Sequence, residues 1–113
     1  MASSDAFVRP RETDWTPTEP GLRRRILAHN ERLMIVEVEF VKGGVGSLHA
    51  HPHIQATYIA SGMFEVTIDG RTEVLVKGES FIVAPNLVHG ARALEAGTLI
   101  DTFTPTRAEF LAS

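Results

Sequence analysis

The chain has 113 residues, 43% of them apolar and 22% charged, with a net charge of −3 and no cysteine. That is the make-up of one globular domain with room for a single core. It excludes disulfides, thiolate metal sites and cysteine nucleophiles, and it offers no bulk charge for holding nucleic acid.

Residues 1–14 are polar, contain Pro10 and are expected to form a flexible arm, with a possible short strand at Phe7-Val8; the barrel domain is expected over 15–113. "MASSDAFVRPRETDW" carries acids and lacks an apolar stretch, so it is not expected to direct secretion. No apolar run approaches the ~20 residues of a membrane helix. A cytoplasmic protein with no membrane and no nucleic-acid partner is the expectation.

The first predicted strand, "LRRRILA" (22–28), holds the basic run Arg23-Arg24-Arg25, which reads as a solvated face or an interface patch. "LMIVEVEFV" (33–41) alternates, with Ile35, Glu37 and Glu39 opposite Met34, Val36, Val38 and Phe40, and the glycines of "KGGVG" end it. A histidine strand and "ATYIA" (56–60) follow, closing at Ser61-Gly62. "MFEVTID" (63–69) leads into Asp69-Gly70, a tight hairpin signal, and then "TEVLV". "SFIVA" (80–84) closes at Pro85-Asn86, "LVHGARAL" (87–94) at Glu95-Ala96-Gly97, and "TLIDTFT" (98–104) at Pro105. No segment keeps a 3.6-residue period over a helix length. Only the tail "TRAEFLA" offers a helical turn, with Thr106 and Glu109 at capping-box spacing. Many short strands with frequent turn signals predict an all-β sandwich or barrel.

The chemistry concentrates in "HAHPHIQ". On one strand His49, His51, His53 and Gln55 would share a face. Imidazoles two residues apart stand ~6–7 Å from each other, a spread that suits two ligands of one ion. Gln55 adds an amide oxygen, and His89, just after the Pro85-Asn86 turn, adds a third imidazole. The set leaves ion positions open, as a catalytic metal centre does. His29, in a turn, reads as a surface residue, and Pro52 is expected to turn His53 away. Asp101 sits in an otherwise apolar strand, where burial is costly unless the carboxylate is paired or functional. With Arg107 nearby the chain has the parts to recognise a carboxylate. The plainer reading is an Asp101–Arg107 ion pair closing the barrel.

"GSLHAHPHIQATYIASG" and "GESFIVAPNLVHG" resemble the two motifs of the cupin superfamily, through Gly46, His49, His51, Gln55 and Gly62, then Gly78, Pro85 and His89. Gln55 stands where glutamate is usual. The resemblance spans roughly residues 33–104 and implies a single-domain jelly-roll β-barrel with a short C-terminal helical turn. It also implies one divalent metal ion (Ni, Zn, Fe or Mn) held by His49, His51, Gln55 and His89. "FEVTIDG", "APNLVHGARALEAG" and "DTFTPTRAEFL" are similar to the small cupins of pectin and alginate degradation, which convert 4,5-unsaturated monouronates to linear keto forms. That likeness implies catalytic roles for Asp101 and Arg107, with Phe103, Arg107 and Gln55 against a small anionic sugar acid. Glu109 stands where aspartate is common in that group.

Other readings use the same residues: an iron cupin that consumes dioxygen, a binding module for a sugar acid without turnover, and a sugar isomerase or epimerase. A dinucleotide-binding reading fails, because "GGVGSLH" is not G-x-G-x-x-G and precedes a strand. Sheet edges in need of cover and the arm favour a homodimer.

Overall fold

The computed structural model describes residues 3–111. Eight strands follow a 3₁₀ turn at Pro10–Glu12: β1 (Thr16–Pro17), β2 (Leu22–His29), β3 (Met34–Phe40), β4 (Val45–His49), β5 (Ile54–Ile68), β6 (Arg71–Val76), β7 (Ser80–Val83) and β8 (His89–Thr104). A single helical turn, α1 (Ala108–Leu111), closes the described chain. All pairings are antiparallel, and β5 and β8 run through both layers of the barrel. One layer is β1-β2-β3, the C-terminal half of β8, the N-terminal half of β5, and β7. The other is β4, the N-terminal half of β8, the C-terminal half of β5, and β6. This is the expected all-β jelly roll.

Two predicted breaks do not end strands. Ser61-Gly62 and Glu95-Ala96-Gly97 lie inside β5 and β8, and face each other where both strands bend from one layer to the other. The pairing register slips three times between Ile59 and Phe64 to make that corner. Gly62 has φ +87°, and a Cβ on it would lie 2.6 Å from the Ala96 carbonyl oxygen. A Cβ on Gly97 would lie 2.3 Å from the Ser61 carbonyl oxygen. The glycines mark a bend under contact, which a turn-residue reading takes for a loop.

Inside, Leu22, Phe40, Ile59, Phe64, Val66, Ala93 and Leu99 form the main core, with Phe40 and Phe64 edge to face at 5.0 Å. A second cluster of Met34, Val36 and Phe103, with Ile26 and Phe110 against it, lies beside the polar mouth. The alternation predicted for β3 holds, since Met34, Val36 and Phe40 are buried. The outer arginines of β2 are neutralised on the surface: Arg23 pairs with Glu39 at 2.8 Å and Arg25 with Glu37 at 2.7 Å. Both guanidiniums lie against the Trp15 ring, 4.1 and 4.2 Å from its centroid. Phe7-Val8 is not a strand, and Ser4 is tied to the His29 backbone by three hydrogen bonds of 2.9–3.2 Å. Thr106 does not cap α1; its hydroxyl donates to the Asn30 carbonyl and so fastens the tail to the β2–β3 turn.

Gly97→Ala is expected to lower stability by at least about 1–3 kcal/mol, because a rigid backbone carbonyl occupies the new methyl's place. Gly43→Ala, where nothing lies within 4 Å and only φ +81° opposes a side chain, should cost about 1–2 kcal/mol. Denaturant unfolding of the two variants checks the order.

Candidate metal centre

The three imidazoles arrive from different elements, and this corrects the single-strand reading. His49 ends β4, His51 and His53 lie in the 50–53 connection, Gln55 is the second residue of β5, and His89 opens β8. His49 and His89 are register partners across β4 and β8. The Pro85-Asn86 turn, with Asn86 in the left-handed region at φ 67°, donates the Asn86 amide to the His51 carbonyl at 2.8 Å. The turn that precedes His89 therefore also holds His51.

Each imidazole is oriented through Nδ1. His49 Nδ1 donates to the Ser47 carbonyl at 2.8 Å, His51 Nδ1 to the His53 carbonyl at 3.1 Å, and His89 Nδ1 to the Leu87 carbonyl at 2.9 Å. A carbonyl can only accept, so the proton sits on Nδ1 and each Nε2 keeps its lone pair. Ser47 is itself held by the Glu19 carboxylate through its backbone N–H and hydroxyl. The three histidine donor atoms lie within 4.8 Å of one another, with His49 exposed and His51 and His89 buried.

Gln55 Oε1 lies 3.0 Å from His51 Nε2 and 3.1 Å from His89 Nε2. Its amide nitrogen donates to Thr57 Oγ1 at 2.9 Å and to Asp101 Oδ1 at 3.3 Å, and Thr57 Oγ1 donates to the same oxygen at 2.6 Å. The carboxylate thus settles which end of the amide faces the histidines. With the rings neutral and protonated on Nδ1, four lone-pair donors converge. Two ligands each ~2.1 Å from one ion at a right angle stand ~3.0 Å apart, so a cation fits this donor set.

The same network explains glutamine in place of glutamate. A second carboxylate at position 55 would face Asp101 across a buried hydrogen-bond distance, whereas the amide donates to one neighbour and offers its oxygen to the ion. Burial pushes the Asp101 carboxyl up to about 6, against the lowering effects of the Thr57 bond and Arg107. Burial also holds His51 and His89 below the ordinary imidazole value, countered in His51 by the Gln55 contact and in His89 by its bond to Leu87.

A pocket of about 370 Å³ opens on this cluster, and its lining includes His49, Gln55, His89, Asp101, Phe103 and Arg107. The structure thus brings together seven of the residues singled out above, since His51 touches Gln55, His89 and Phe103. It does not make the Asp101–Arg107 ion pair. Arg107 Nε binds Glu109 Oε2 at 2.9 Å, with the guanidinium 4.2 Å from the Phe110 ring centroid and 5.2 Å from that of Phe103. The Glu109 carboxyl is held below its usual range: partial burial raises it, but its own backbone amide and Arg107 outweigh that. His53 is not one of the three convergent histidines, yet its carbonyl orients His51 and its ring lies 5.4 Å from that of His51. Thr57 was not singled out in the sequence, although it shares the inward parity of Gln55 and Ile59. His29 lies outside the cluster, tied to Ser4 and Leu27.

In metal-stripped protein, Gln55→Glu should cost about 1–3 kcal/mol near pH 8 by breaking the buried donor–acceptor order. Adding Asp101→Asn, which supplies an amide from the other side, should recover most of that loss; denaturant unfolding of single and double variants measures the coupling. Asp101→Asn alone reads the proton balance. Between its ordinary 3.8 and about 6 the folded state binds the extra proton, so this group costs stability as pH rises and the full cost stands above that window. The gain from Asp101→Asn should therefore be largest near pH 8 and fade as the pH drops below the ordinary 3.8.

Comparison with known proteins agrees with this geometry. Residues 36–102 match the family described as "Cupin domain". The pectin degradation protein KdgF of Dickeya dadantii is 43% identical over 102 residues, covering 88% of this chain and 93% of its own length. The structure of KdgF from Halomonas sp. superposes with a TM-score of 0.88 at 39% identity, covering 95% of this chain and 99% of that one. A crystal structure of an RmlC-like cupin from Shewanella frigidimarina superposes with a TM-score of 0.93 at 42% identity, over 97% of this chain and 99% of that one. The matched span holds both histidine motifs and both strands that shape the mouth, and this chain belongs to the cupin family.

Proposed function

We propose that the chain is a metal-dependent enzyme that converts 4,5-unsaturated monouronates, as released from pectin or alginate, into linear keto-uronates. The observation that carries this reading is the meeting of three convergent histidines and the Gln55 amide oxygen with Asp101, Phe103 and Arg107 around one pocket. The 43% identity to a pectin degradation protein supports it. A divalent ion on His49, His51, Gln55 and His89 would supply Lewis-acid polarisation of substrate oxygens, with a charge near +2 because all four donors are neutral.

The rest falls to the chain's own groups. Arg107 presents a guanidinium whose Nε is fixed by Glu109, leaving its remaining N–H groups for a planar carboxylate. Phe103, 2% exposed, gives the sugar a rigid apolar wall. Both Asp101 bonds from Thr57 and Gln55 end on Oδ1, so Oδ2 is the oxygen that serves the substrate. The substrate is a cyclic enol ether. Asp101 delivers a proton to C4 while water adds its oxygen to C5 and returns a proton to the carboxylate. The resulting C5 hemiketal opens by breaking its bond to the ring oxygen; the C5 hydroxyl proton passes to that oxygen and leaves a ketone. C1 then carries two hydroxyls and sheds water to an aldehyde, so the net change is an isomerisation.

Loss of the ultraviolet absorbance of a 4,5-unsaturated monouronate tests the reading. Metal-loaded wild type should accelerate the decay, and chelation or His51→Ala should remove the acceleration. Asp101→Ala and Arg107→Ala should each reduce it by 10²-fold or more, the range of general acid–base groups and buried charge contacts. Decay no faster than buffer from metal-loaded protein refutes the activity. Oxygen uptake with the same substrates would point to the oxygenase reading instead.

A further inference from the structure

The run Arg23-Arg24-Arg25 divides by parity. Arg23 and Arg25 are paired with glutamates and stacked on Trp15 outside the barrel. Arg24 points the other way, between Leu22 and Ile26 of the inward face, and lines the pocket that holds His49, Gln55, His89 and Asp101. Its guanidinium carbon is 3.8 Å from the Phe110 ring centroid, and that of Arg107 is 4.2 Å from the same point. The two carbons therefore lie no more than about 8 Å apart, the sum of those distances.

Two cations so close in a partly apolar pocket repel; burial first and the Arg107 charge second hold Arg24 below its ordinary value, and Glu109 works the other way. Glu109 bonds the Nε of Arg107 and also acts on Arg24 through its charge. A divalent ion on the neutral donor set would add more positive charge to the same mouth. Such an arrangement gains most from an anion placed within reach of both guanidiniums, each of which binds carboxylate as a fork.

We propose that Arg24 is a second carboxylate-binding residue of this site, which grips the acid group of the substrate together with Arg107 and makes the pocket select uronates over their neutral esters. This rests on the uronate reading above and adds the residue that sets acid specificity. Phe110 acts as the spacer, its ring held by both cations, so the helical turn that carries it is part of the anion pocket.

The test uses the metal-loaded protein with an unsaturated monouronate and its methyl ester, in wild type, Arg24→Gln and Arg24→Lys. Arg24→Gln should raise KM for the acid roughly ten- to hundredfold, the worth of a charge-assisted contact, with kcat within about threefold. It should also narrow the acid-over-ester preference, and Arg24→Lys should restore part of both. A merely structural role would lower kcat or melting temperature without changing the acid-to-ester ratio, and an unchanged ratio overturns the proposal. Calorimetric titration with galacturonate separates the two ideas. If wild type shows no turnover yet binds galacturonate, with affinity lost in Arg24→Gln and partly regained in Arg24→Lys, the activity fails and the anion site stands. Turnover by wild type with galacturonate binding and acid preference indifferent to Arg24 leaves the activity and removes the anion site.

Discussion

One carboxamide joins the two halves of the site. Gln55 has Asp101 and Thr57 at its nitrogen and His51 and His89 at its oxygen, all within hydrogen-bond distance and all buried. An amide can face a carboxylate on one side and a cation site on the other, because its two ends have opposite polarity. A carboxylate could serve only the second. The Asp101 carboxyl and the histidine cluster are thereby linked through one amide, without a second buried acid.

That arrangement is built on a scaffold that makes few concessions to it. Gln55, Thr57 and Ile59 are successive inward residues of one strand, and Leu99, Asp101 and Phe103 are their counterparts on its neighbour. Polar character gives way to apolar core within two residues on both strands. The three histidine Nδ1 groups are each satisfied by a carbonyl two residues away, so their orientation is a property of local chain path and not of long-range polar partners. The exposed His49 has a further support through Ser47 and Glu19, and His51 one through the Asn86 amide at its carbonyl.

Much of this was legible in the sequence. Turn residues bounded β2, β3, β6 and β7 nearly to the residue, and period-two alternation holds in β3, where Met34, Val36 and Phe40 are packed. The converging residues were singled out through a wrong local argument: parity along one strand gathers His49, His51 and Gln55 on paper, whereas the fold gathers them by turning the chain at Ala50–His53. What the sequence hid was tertiary. Gly62 and Gly97 look like loop residues until their backbones are seen in contact. Arg107 looked like a partner for Asp101, but Glu109 is nearer in sequence and lies outside the core, where an ion pair costs less desolvation. Arg24 was masked by its neighbours, since a basic triplet reads as surface although a strand must send its middle residue inward.

The facing bend of β5 and β8 has a mechanical side. Each layer of the barrel contains half of both strands, so no plane separates the layers without cutting through the same two hydrogen-bonded ribbons. A domain made of two independent sheets can loosen one while the other persists; this topology offers no such seam, and local opening is confined to edges such as β1, β6 and β7. Strain introduced at the glycine corner has no hinge to absorb it there. It would be felt along both ribbons, one of which carries Gln55 near its start and the other His89, so a change at the far end of the barrel would reach the mouth.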